Sequence, residues 1–100
     1  MYQRLIRYRT RPGQADANAR LVEAVYAELH RTRPDGVSYA TFRLKDQVTF
    51  VHVVQVRREP NPLLAVKAFA EFQAGIADRV DEGPVQEELA EVGSYRFFAP

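Results

Sequence analysis

One hundred residues supply one domain and leave little room for a second core. The absence of cysteine excludes a disulfide framework, a thiolate metal site and a thiolate nucleophile. A net charge of +1 argues against a dedicated nucleic-acid binder, and no apolar run approaches the ~20 residues that span a bilayer, so the expected setting is the cytoplasm.

Charge is unevenly placed along the chain. Residues 1–50 carry nine Lys/Arg against five Asp/Glu, and residues 51–100 carry five against eight. The two halves are expected to face each other in an interleaved fold and compensate within the molecule.

The first strand is read over residues 2–10, with Tyr2, Ile6 and Tyr8 on one face and Gln3, Leu5, Arg7 and Arg9 on the other. Arg11-Pro12-Gly13 ends it. Leu21, Val25 and Leu29, beside Val22, form one apolar stripe and predict a helix from Ala15 to Thr32, stopped by the sequence RPDG at 33–36. Two β-rich runs follow, 37–44 and 47–57, and the Lys45-Asp46 gap between them reads as a tight hairpin. A second helix is expected from Leu63 to Val80, with Val66, Phe69, Phe72 or Gln73, Ile76 and Val80 along one face. Gly83-Pro84 opens a short helical turn, PVQEELA, and VGSYRFF at 92–98 is read as the last strand.

The order β-α-β-β-α-β predicts an α+β, ferredoxin-like domain spanning residues 1–100. It has a four-stranded antiparallel sheet and two helices on one face, with the third strand between the first and second. The third strand, VTFVHVVQV, is apolar on both faces, with either Val48, Phe50, Val54 and Val56 or Val51 and Val53 away from the helices. An exposed apolar sheet face on a small domain calls for a partner surface, and a second copy of the chain paired sheet to sheet would cover it.

RYRTRPGQADA, YATFRLKDQVTFVHVVQV, FAEFQAGIADR before EGP, and the tail GSYRFF together resemble the dimeric α/β-barrel superfamily, in particular its antibiotic biosynthesis monooxygenase-like proteins. The resemblance implies a homodimer whose sheets face each other and a small-molecule pocket between each sheet and its helices. Members oxidise aromatic polyketides without a cofactor, degrade haem, cyclise or isomerise small metabolites, or have no known activity. The family's oxygenase and haem-degrading sets use an asparagine and a tryptophan. This chain has no tryptophan, and its asparagines are Asn18 and Asn61, so neither set is carried over.

His52 is the principal candidate. It reads either as a general base or as a histidine buried in core or interface. A Lys45-Asp46 turn would place Tyr39 directly opposite it, and a turn one residue different would place Ala40 there. His52 and Tyr39 are therefore the expected catalytic pair. Phe50 beside them, with Tyr8, Phe69, Phe72, Gln73 and Ile76, is expected as substrate-binding wall, and the competing reading of the aromatic wall is ordinary core packing. Gln73 needs a polar partner, in a ligand or on a strand. Arg79, Asp81 and Glu82 read as a favourable helix end, as does His30. No metal spacing and no cofactor motif is present. The expected partners are a second copy of the chain and a small aromatic ligand, with no nucleic acid and no membrane. VTFVHVVQV lacks the glycine-containing signature of an RNA-recognition strand, and RPGQAD has one glycine and no lysine for a phosphate loop.

Overall fold

The structure is a computed structural model that describes residues 1–97. Its elements are β1 (Tyr2–Thr10), α1 (Ala15–Thr32), β2 (Val37–Arg43), β3 (Thr49–Val56), α2 (Lys67–Ala74), α3 (Ile76–Arg79) and β4 (Val80–Glu88), with a 3₁₀ turn at Pro62–Ala65 leading into α2. The strands form one antiparallel sheet in the order β2-β3-β1-β4, the ferredoxin-like order expected from the sequence. No helix among the described residues is long and apolar enough to cross a membrane.

α1 matches its predicted bounds. Arg33 takes the left-handed conformation (φ 50°, ψ 56°) and returns its N–H to Leu29 O, which closes the helix before Pro34. The second helix does not run unbroken from 63 to 80. Val66 is extended, and Gly75 separates α2 from α3. The Glu28 carboxylate of α1 caps the start of α2, accepting the Lys67 and Ala68 N–H groups at 3.0 and 2.9 Å.

The last strand differs most from expectation. PVQEELA is not helical: β4 runs over Val80–Glu88, and residues 92–97 are not in a strand. Phe98, the end of the predicted strand, lies outside the described residues. Glycine, proline and four acidic residues give this stretch little intrinsic strand preference, so pairing with β1 creates the strand. Pro84 is tolerated because β4 is an edge strand, and Gly83-Pro84 sits where the β1–β4 register shifts between Arg7 and Arg9. Arg9 binds Asp81 at 2.9 Å and Glu82 at 3.3 Å, so the basic N-terminal half meets the acidic C-terminal half here. Asp81 and Glu82 are strand residues rather than a helix end.

The core lies between the sheet and the helices, with Tyr8, Phe50, Val54 and Val56 of the sheet packed against Val22, Val25, Leu63, Phe69 and Phe72. From Phe50 onward the even-numbered residues of β3 are buried and the odd-numbered ones half-buried. His52 thus faces the helices, while Val51 and Val53 lie on the other face.

The hairpin is longer than a two-residue turn. Asp46 accepts the N–H groups of Val48 and Thr49 at 2.9 and 2.8 Å and also the Thr49 hydroxyl, and Gln47 adopts φ 70°. The register therefore pairs Thr41 with His52, and Tyr39 with Val54. Neither Tyr39 nor Ala40 is opposite His52. The displacement from the Tyr39 pairing is two residues, which preserves the face, so Tyr39 stays beside His52 as its diagonal neighbour.

Candidate functional site

The sheet presents His52 at the centre of its helix-facing side, between Ile6 of β1 and Thr41 of β2. Tyr8 and Tyr39 approach it from the two sides. The Tyr8 hydroxyl is 2.8 Å from Nε2, and the Tyr39 hydroxyl is 2.6 Å from Nδ1, with Thr41 Oγ1 at 3.0 Å from the same nitrogen. Tyr26 of α1 binds Thr41 Oγ1 at 2.7 Å and stacks on Tyr39. On the other side, Asn18 of α1 donates Nδ2 to the Tyr8 hydroxyl at 2.8 Å, and Arg79 donates Nε to Asn18 Oδ1 at 3.0 Å. Arg79 also donates to Phe72 O at 2.7 Å. Asn18 is fully buried and His52 is 2% exposed.

The donors in this chain constrain one another. Arg79 can only donate, so the Asn18 oxygen must face it and the Asn18 N–H must face Tyr8. Burial pushes the His52 pKa from 6.5 down to about 4, so at neutral pH the ring carries one proton. If that proton is on Nδ1, it is donated towards Tyr39, and Tyr8 donates its own hydrogen to Nε2. If it is on Nε2, the roles reverse, and Tyr8 holds the hydroxyl hydrogen without an acceptor in the chain. Tyr8 contributes to the cavity wall but is only 2% exposed, so without a ligand against it a hydrogen there would be poorly solvated and costly. Half-buried Tyr39 can instead aim its hydrogen into the adjacent cavity. Burial thus favours the proton on Nδ1, and the Tyr39 O–H, which Thr41 accepts within the chain, is free to turn to a ligand instead.

Burial also raises the phenols. Tyr8 reaches about 12, although the Asn18 hydrogen bond and the Arg79 charge pull it back. Tyr26 likewise reaches about 12 by burial, with the Thr41 hydrogen bond opposing. Tyr39 is pushed up further, by burial and then by neighbouring Tyr26. All three are neutral at physiological pH. Arg79 is 7% exposed, and burial lowers its pKa.

A cavity of about 600 Å³ opens against this array. Of the residues singled out from the sequence, His52, Tyr39, Tyr8, Phe69, Phe72, Gln73 and Ile76 line it. Phe50 does not: directly across from Tyr8, it stacks on that ring at 5.6 Å between centroids and belongs to the core. Gln73 is exposed rather than buried among apolar neighbours, so it needs no partner from a strand. Asn18, Thr41 and Arg79 complete the site, and sequence reasoning gave none of them a part in it. Arg79 is not a solvated helix end but is folded back under Phe72. Asn18 could have been found, since it extends the buried stripe of Val22 and Val25 by one turn.

The fold recurs in solved structures. A Pseudomonas aeruginosa protein superposes with a TM-score of 0.74 at 18% identity, over 92% of this chain and 94% of that one. A Mycobacterium tuberculosis protein gives 0.72 at 18% identity, over 93% and 96%. A structure described as that of an antibiotic biosynthesis monooxygenase gives 0.71 at 14% identity, over 93% of this chain and all (100%) of that one. At these identities the likeness is one of fold. No protein-family profile matches the chain, and no curated protein matches its sequence.

Proposed function

We propose that the protein is a cytoplasmic homodimer that binds a small aromatic or polyketide-like substrate, in the manner of cofactor-independent monooxygenases and cyclases. The observation that carries this reading is the Tyr8–His52–Tyr39 array at the wall of a largely apolar cavity. A substrate phenol would give its proton to the Tyr8 oxygen as the Tyr8 hydrogen passes to His52 Nε2. The free Tyr39 O–H would donate to the substrate oxygen and hold its anionic form. The electron-rich ring can then reduce dioxygen itself: a phenol with a free ring position and one O₂ give a quinone and one water, four electrons leaving the ring. The imidazolium formed in a dry site is unfavourable alone, but it arises beside the phenolate and pairs with it.

A second reading, a non-catalytic binding module, is supported by a different observation. No buried side-chain polar atom among the described residues lacks a partner, so the array is complete without a substrate. Oxygen uptake with polyphenol substrates separates the two. The catalytic reading expects turnover that falls by about two orders of magnitude or more in His52→Ala, the usual scale of a lost acid–base group. Equal rates in wild type and variant would remove His52 from the mechanism, and binding without uptake would favour the binding module.

A further inference from the structure

We infer that the cavity selects an aromatic ligand carrying a carboxylate, with Arg4 as the residue that receives it; this rests on the reading of the Tyr–His array as the end that takes a phenolic oxygen. Arg4 is the only formally charged side chain among the residues around the cavity. It is half-buried, on the same helix-facing side of β1 as Ile6 and Tyr8. Its guanidinium lies over the Tyr2 ring, 4.1 Å from the centroid, so stacking holds the plane while its N–H edge stays available. No ion pair among the described residues involves it. Glu88, directly across on β4, forms none with it. A half-buried arginine fork beside the cavity, with no ion pair to the neighbouring Glu88 carboxylate, is matched to a planar anion.

The sheet register also sets the ligand's length. His52 shares a row with Ile6, and Arg4 shares the next row on the same face with Val54. At about 3.3 Å per residue those rows are roughly 7 Å apart. That is the backbone interval, and the guanidinium lies over Tyr2, a residue of the next row away from His52. One benzene ring with a hydroxyl and a carboxylate at opposite ends, lengthened by a short unsaturated spacer, therefore suits the reach. The remaining polar groups of that end, Asn61, Gln73 and Gln86, are neutral amides and do not compete for an anion. Arg4 faces the helices, so sheet-to-sheet dimerisation leaves it open.

The test is titration of the full-length protein with 4-hydroxybenzoate, 4-hydroxycinnamate and the uncharged 4-hydroxybenzamide, followed by calorimetry or NMR shifts. The wild type is expected to bind at least one acid about tenfold or more tighter than the amide, the scale of one charge-assisted contact. Arg4→Gln should remove that preference by weakening acid binding far more than amide binding, and Arg4→Lys should restore only part of it. Equal affinity of acids and amide in the wild type would overturn the carboxylate assignment while leaving the phenol site standing. If neither acids nor amide bind, the phenolic reading of the cavity fails and the carboxylate assignment falls with it.

Discussion

The direction of hydrogen bonding from Arg79 to Tyr39 is set by two groups that never reach the cavity. Arg79 and Asn18 act through Tyr8 on the His52 ring, so they are positioning residues. Asn18→Asp tests this directly. An aspartate can only accept, so it would keep Arg79 and turn the Tyr8 O–H towards itself, leaving the Tyr8 oxygen to accept from His52. Nitrogen NMR should report the Nδ1–H tautomer in the wild type and Nε2–H in Asn18→Asp; an unchanged tautomer would refute the chain of donors. Histidine burial has its own signature. The folded pKa near 4 lies below the unfolded value near 6.5, so the unfolded state binds the extra proton first. Stability from this group is complete above about pH 6.5 and is lost as pH falls through 4, a difference of roughly 3 kcal/mol for a shift of this size. In urea melts, His52→Gln should show a correspondingly smaller loss between pH 7 and pH 4 than the wild type. Sequence parity named His52, Tyr39 and Tyr8 as candidates but left open which face of the sheet His52 takes and how long the hairpin turn is, and those two facts decide their meeting. Arg79 was not legible, because its inward course depends on a backbone break that its own residue type does not announce.

That break lies at Gly75, where an added Cβ would stand 2.8 Å from Arg79 Nη1. A glycine there lets α3 turn and the guanidinium enter the core, so a local feature decides whether the second helical segment serves the site. Gly83 has the stricter role. Its φ is +89°, and a Cβ would stand 2.8 Å from the Arg7 carbonyl oxygen, which is backbone and cannot swing aside. Gly83→Ala should therefore cost about 2 kcal/mol or more from strain and the lost β1–β4 register. The urea midpoint measures the loss, and amide exchange should show it concentrated on β4; an unchanged midpoint would mean that the bulge relaxes freely. β4 also shows where sequence reading stops. α1 and the order of the first three strands follow from hydrophobic periodicity, whereas EGPVQEE has no apolar alternation and a single strand-forming residue, Val85. It is a strand because β1 offers a free edge and Arg9 binds Asp81 and Glu82 of the acidic segment, and that information resides in tertiary pairing.

At the scale of the molecule, the same parity that sends His52 towards the helices leaves an apolar stripe on the opposite face. Leu5, Ala40, Val51 and Val53 are half-buried there, and Phe42 and Val85 are 46% and 55% exposed. Cross-strand register places Phe42 beside Val51 and Val51 beside Arg7, which in turn pairs with Val85, so these residues form a continuous patch rather than scattered contacts. A carboxylate added at Phe42, on the β2 side of this patch, would be desolvated in a self-complementary interface but solvated in a monomer. Phe42→Asp discriminates for that reason: a half-exposed side chain contributes little to the monomer's own core, so the variant should fold with unchanged near-ultraviolet circular dichroism. In light scattering, the wild type should have twice the 11.4 kDa chain mass at micromolar concentration and the variant the single mass. A wild-type monomer under those conditions would defeat the sheet-pairing proposal. A dimer that persists unweakened in Phe42→Asp would move the interface to another face, and because the cavity lies on the helix side, ligand titration of that variant would show whether the two surfaces overlap.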